Sequence, residues 1–118
     1  MDIDVLREYC LSKKAVKEDF PFDENTLVFR IGDKIFCLTS LDKPLKINLK
    51  CDPEKAIILR EEHEEISPGF HMNKKHWNTV DLNGMIPEKL IYEMIDDSYN
   101  LVLSNMGRNA RKKLGFDN

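Results

Sequence analysis

The stretch Thr26-Leu27-Val28-Phe29-Arg30-Ile31-Gly32-Asp33-Lys34-Ile35-Phe36-Cys37-Leu38-Thr39-Ser40 decides the fold. Thr26–Ile31 and Lys34–Ser40 are rich in β-formers, and only Gly32-Asp33 parts them, which is the signature of a tight hairpin. Just downstream, Leu45, Ile47 and Leu49 alternate with Lys46, Asn48 and Lys50. That period of two predicts a strand with one buried face and one wet, basic face. Together these strands make an antiparallel meander with one side in water.

On the N-terminal side, residues 2–12 read as a short helix capped by Asp2, with Val5, Leu6, Tyr9 and Cys10 at helical spacing. A strand over 15–19 follows and ends at Phe20-Pro21-Phe22, where Pro21 has no N–H for a ladder. On the C-terminal side, Asp52-Pro53-Glu54 opens a helix predicted over 54–65, with Ala56, Leu59, His63 and Ile66 on its inner stripe. Ser67-Pro68-Gly69 breaks it. Residues 70–72 and 76–82 read as strands, and Asn83-Gly84 as a turn. Pro87 starts the longest helix, Glu88–Asn105, whose apolar face holds Leu90, Ile91, Met94, Ile95, Leu101 and Val102. Gly107 ends it. The order predicts an α+β two-layer sandwich: an N-terminal helix, an antiparallel sheet of five or six strands, and helices packed on one face. Residues 1–106 form one domain, and 107–118 a basic C-terminal tail or short helix.

Composition agrees with an ordinary globular chain. Of 118 residues, 42% are hydrophobic and 33% charged, with five Gly and five Pro. The acidic start Met1-Asp2-Ile3-Asp4 has no apolar run behind it, and no stretch is long enough to span a membrane, so a cytoplasmic protein is expected. Cys10, Cys37 and Cys51 are an odd, widely spaced set with no disulfide framework. The net charge of −3 is uneven: residues 1–65 carry 15 acidic and 11 basic groups, the remainder 6 and 7. An anionic partner would have to meet a patch, not the whole surface.

The segment Pro68-Gly69-Phe70-His71-Met72-Asn73-Lys74-Lys75-His76-Trp77-Asn78-Thr79-Val80 resembles the signature of MmcQ/YjbR proteins. Phe20-Pro21-Phe22, Lys34-Ile35-Phe36, Leu49-Lys50-Cys51-Asp52-Pro53-Glu54, Ser98-Tyr99 and Leu101-Val102 fit in order, so the resemblance spans residues 14–102. It implies a bacterial cytoplasmic protein, a fold similar to the frataxin-like (CyaY-like) sandwich, and a DNA-binding role. One departure stands out: Asp23 follows Phe-Pro-Phe where the family often has glycine.

The residues themselves ask for no catalysis. There is no phosphate-cradling glycine loop, no Gly-x-Ser-x-Gly elbow and no His-Glu-x-x-His, and Cys37 and Cys51 lie in core-facing strands. His71, His76 and the carboxylates around His63 match no metal-site spacing; His63 reads as a core histidine, and no cofactor is expected. Around Trp77, strict alternation puts His76 and Asn78 with core-facing Val80, and Trp77 and Thr79 on the other face. Trp77 beside Lys74, Lys75 and His71 is either a stacking and phosphate-binding surface or an aromatic tucked against a neighbouring element. Arg30, Lys46 and Lys50 share the polar phase of the meander.

These residues predict a non-catalytic, monomeric protein that binds DNA or another nucleic acid with little sequence preference. Its binding residues would be Lys50, His71, Asn73, Lys74, Lys75 and Trp77, joined by Arg108, Arg111, Lys112 and Lys113 of the tail. The alternative is an adaptor for a protein or small anionic ligand with a pocket near His71, Asn73, Lys74 and Trp77.

Overall fold

The Asp2 carboxylate accepts the Val5 N–H at 2.9 Å and starts helix α1, Ile3–Leu11, which buries Leu6 and Cys10. In the computed structural model, which describes residues 1–116, four strands follow: β1 (Val16–Asp19), β2 (Thr26–Ile31), β3 (Lys34–Ser40) and β4 (Lys46–Lys50). Gly32 closes the β2–β3 hairpin at φ +61°, a conformation that glycine adopts without strain. The chain then runs through α2 (Pro53–Glu62), β5 (Ile66–Pro68), β6 (Trp77–Asp81), α3 (Glu88–Asn105) and α4 (Arg108–Lys113). The strands form one antiparallel sheet in the order β1-β2-β3-β4-β6-β5. This is the expected α+β sandwich with six strands.

Register fixes the faces. Two cross-strand rows, Phe29–Cys37–Leu49–Asn78 and Leu27–Thr39–Ile47–Val80–Ile66, point to the helices and form the core with Leu6, Ile91, Ile95 and Tyr99. Ser98 of α3 ties helix to sheet: its hydroxyl donates to the Phe36 carbonyl and accepts the Lys50 N–H at 2.9 Å. On the opposite face lies the row Val28–Leu38–Asn48–Thr79.

Several expectations are corrected. Helix α2 stops at Glu62, and His63 is extended at its C-terminal end, not on an inner stripe. Glu61, Glu62, Glu64 and Glu65 crowd the negative end of the helix dipole, while Ile66 is claimed by β5. Residues 70–72 are not a strand; pairing with β6 falls on Ile66–Pro68 instead. Pro68 is tolerated there because β5 is a sheet edge. The far face is not uniformly wet, since Val28 is 0% and Thr79 only 6% exposed. Loops cover it. Gly107 does not end α3 but precedes α4, and the final part of the expected tail, residues 117–118, lies outside the described residues.

Candidate functional site

Two loops wall the far face of the sheet. The first joins β5 to β6 and is knotted by its own backbone. Gly69 N–H donates to the Trp77 carbonyl at 2.9 Å, and the Asn73 carbonyl accepts from His76 and Trp77 at 3.2 and 3.0 Å. A Cβ on Gly69 would sit 2.7 Å from Trp77 Cβ, so only glycine lets the two ends of the loop meet. The Phe70 N–H donates to Thr79 Oγ1 at 2.9 Å, and that hydroxyl donates to Asn48 Oδ1 at 2.5 Å. Arg60 reaches across from α2: its Nε donates to Asn78 Oδ1 at 2.7 Å, and Nη2 donates to the carbonyls of Lys74 and Trp77. His71 is left-handed at φ +59°. Its ring stacks, tilted, on Phe70 with centroids 4.0 Å apart.

The second wall joins β1 to β2. Asp23 Oδ1 accepts the N–H groups of Asn25 and Thr26 at 2.8 and 2.7 Å, and Oδ2 accepts the Thr26 hydroxyl. These bonds, that from Asn25 foremost, hold the Asp23 carboxyl below the usual carboxylate range. The departure from glycine at Asp23 thus makes an Asx-type turn. Phe22 beside it, 67% exposed, lines the same cavity as Phe70, 66% exposed.

Between the walls runs a trough of about 520 Å³ whose floor is Ile35, Leu38 and Asn48, with Asp23, Asp42 and His71 at its rim. Ile35 and Met72 are shared with a second cleft of about 360 Å³ that holds Lys34, Lys50 and Trp77. Lys50 and Trp77 are cross-strand partners, which puts both residues in the same cleft.

The expected site residues separate into groups. His71 lines the trough, and Lys50 and Trp77 line the adjoining cleft. Asn73 and Lys74 hold the loop: Asn73 Oδ1 accepts the Lys75 N–H at 2.9 Å, and Lys74 Nζ donates to the Gly69 carbonyl at 3.0 Å. Lys75 is exposed, and Trp77 is half-buried. Arg108, Lys112 and Lys113 are exposed on α4, and Arg111 is half-buried beside the Leu103 carbonyl. Helix α4 is anchored at the β2–β3 turn, and Asn105 and Met106 just before it line the cleft that holds Lys34, Lys50 and Trp77. Leu114 packs at Gly32, and Lys14 Nζ donates to the Gly115 carbonyl at 2.5 Å and covers the Phe116 ring. It lines neither cleft. Sequence reasoning missed Phe22, Phe70, Lys34 and Asp42 as site residues; the available signal was the apolar Phe-Pro-Phe beside a turn residue, read as a strand end and as part of the family resemblance and not as a binding surface.

The remaining chemistry is sparse. Cys37 is fully buried against Cys10, and both their hydrogen bond and burial push its thiol up; burial also raises Cys51. That is the reverse of what a thiolate nucleophile requires. Among the described residues no three His, Cys, Asp or Glu side chains are grouped to hold a metal ion, and no helix is long and apolar enough to cross a membrane.

Comparison with known proteins places this architecture. Uncharacterised protein YbdF of Escherichia coli O157:H7 is 41% identical over 96 residues, covering 80% of this chain and 79% of the relative. Uncharacterised protein YjbR of Escherichia coli K12 is 31% identical over 115 residues, covering 97% and 98%. The crystal structure of Deinococcus radiodurans DR2400, a DUF419 domain, superposes with a TM-score of 0.90 at 41% identity, covering 97% of this chain and 88% of that one. A protein from Pseudomonas syringae follows the same fold at a TM-score of 0.77 and 32% identity, covering 86% and 99%. The family model described as YjbR matches residues 11–101, which include both walls of the trough and every strand of the sheet, so the chain belongs to the YjbR family.

Proposed function

We propose that the protein is a non-catalytic binding module that holds single-stranded nucleic acid along the trough between the loops that cover its sheet, weakly and with little sequence preference. The observation that carries this reading is the pair of adjoining cavities: exposed rings of Phe22, Phe70 and His71 in the trough, and Lys34, Lys50 and Trp77 in the cleft beyond Ile35 and Met72. Rings offer stacking to any base, and lysines meet the backbone. The helix that exposes Arg108 and Asn109, α4, lines neither cleft, so duplex is the poorer fit to this surface.

A titration of labelled single-stranded DNA, duplex DNA and RNA at stepped salt tests this. Single strands should bind more tightly than duplex. Lys34→Glu with Lys50→Glu should weaken binding to all sequences alike and flatten the salt dependence. Folded protein that binds no nucleic acid at low salt would sink the reading. The second reading, an adaptor for a protein or small ligand, is favoured by one observation: the larger trough is lined by Asp23 and Asp42 and by no Lys or Arg. An apolar or cationic peptide side chain suits such walls, and selective capture of basic peptides without any nucleic-acid binding would establish it.

A further inference from the structure

We infer that the half of the trough between Phe22 and Phe70–His71 is a nucleobase slot that selects bases presenting an exocyclic amino group. The inference rests on the nucleic-acid reading above and gives a use to its least expected feature. A site built only to attract phosphate would be lined by cations. This half is lined by aromatic rings, two carboxylates and small polar groups, and the lysines sit in the adjoining cleft beyond Ile35 and Met72.

Chemistry divides a nucleotide in the same way. The base has a flat π-face and, in adenine, cytosine and guanine, an amino group with donors to give; the phosphate is anionic. Phe22 and the Phe70–His71 pair supply faces for the base. Asp42 and Ser40, exposed at the rim of the same trough, supply acceptors. Among the described residues the Asp42 carboxylate has one side-chain contact, a long bond from the Ser40 hydroxyl at 3.3 Å, and it lines both the trough and a neighbouring cleft beside Pro44 and Leu45, so it keeps acceptor capacity for a group in the trough. Asp23 is different. Its oxygens are committed to the turn, so it shapes the slot and stays ionised. Thymine and uracil present a carbonyl oxygen where adenine and cytosine present an amino group, so at that edge they offer a carboxylate an acceptor in place of a donor. A single slot gives a preference at one position of the strand, which is compatible with low overall sequence specificity.

Labelled oligo(dT), oligo(dC) and oligo(dA) of equal length, titrated by anisotropy into the full chain at fixed low salt, test the inference. Oligo(dC) and oligo(dA) should bind about fivefold more tightly than oligo(dT), as expected for one carboxylate–amino contact at a half-open site. Asp42→Asn separates readout from simple electrostatics. If Asp42 only repels the strand, removing its charge tightens all three oligomers in parallel. If it reads the amino group, oligo(dT) gains while oligo(dC) and oligo(dA) lose, and the preference collapses. Equal wild-type affinities, or a parallel gain in the variant, would overturn the slot and leave the nucleic-acid reading standing. Absence of binding to all three overturns both.

Discussion

Thr79 shows how a single hydroxyl can organise a binding surface. It stands on the far face of β6, accepts the Phe70 N–H and donates to Asn48, and is nearly buried. Thr79→Val keeps the shape but leaves a part-buried N–H and an amide oxygen without this partner, a loss of about 1 kcal/mol. Urea denaturation should show that loss, and hydrogen exchange should quicken at Phe70 before it does at Leu49 in the core. Arg60 holds the same loop from the other side, where its guanidinium bonds Asn78 and two loop carbonyls. Lysine cannot reproduce that fork. In Arg60→Lys the emission of Trp77, the chain's sole tryptophan, should shift to the red with only a small change in melting temperature. Unchanged emission and unchanged quenching by acrylamide would show that Arg60 does not set the loop. Neither role was legible in the sequence, because the bonds cross 9 to 31 residues and no local period encodes them.

At the scale of elements, α1 and α3 are fastened by polar bonds as well as by core packing. The Tyr9 hydroxyl donates to Asp96 at 2.6 Å, its ring lies 4.3 Å from that of Tyr92, and Lys13 pairs with Asp96. Burial first, and the bond to Asp96 second, push the Tyr9 hydroxyl up from 10.0 to about 12. The folded state holds this proton more tightly than the unfolded chain, so the stabilisation is complete below pH 10 and is lost between roughly pH 10 and 12. Glu18 has the opposite sign: the hydrogen bond from Arg7 lowers it, so its contribution fades as the pH falls below 4.5. Urea midpoints should therefore be level near neutrality and fall at both ends, and Tyr9→Phe should blunt the alkaline fall. Elements with strong periodicity were readable, as Glu88–Asn105 and the Gly32-Asp33 hairpin show. Strand β5 was not. Its three residues carry no period, and its pairing depends on β6, which arrives later in the chain.

For the whole molecule, the distribution of charge decides how binding must respond to salt. The net charge is −3, and cations are dispersed: Lys34 and Lys50 in the cleft, Lys74 tied to Gly69, and four basic residues on α4, which is anchored at the β2–β3 turn. Linear composition carries no information about which of these cations face one cavity. In the fold Lys34 and Lys50 line the cleft with Trp77, whereas α4 adjoins that cleft through Asn105 and Met106 and none of its own residues line it. A single strand in the trough should therefore neutralise two phosphates, and at about −0.7 per contact the slope of log affinity against log salt should be roughly −1.4. A surface that also enlisted Arg108, Arg111, Lys112 and Lys113 would make six contacts and a slope of roughly −4. The two cases are separable in one titration series. Reversing Lys112 and Lys113 to Glu should leave the slope near its wild-type value, whereas reversing Lys34 and Lys50 should bring it close to zero. A steep wild-type slope that Lys112→Glu with Lys113→Glu flattens would move the binding surface from the sheet to α4.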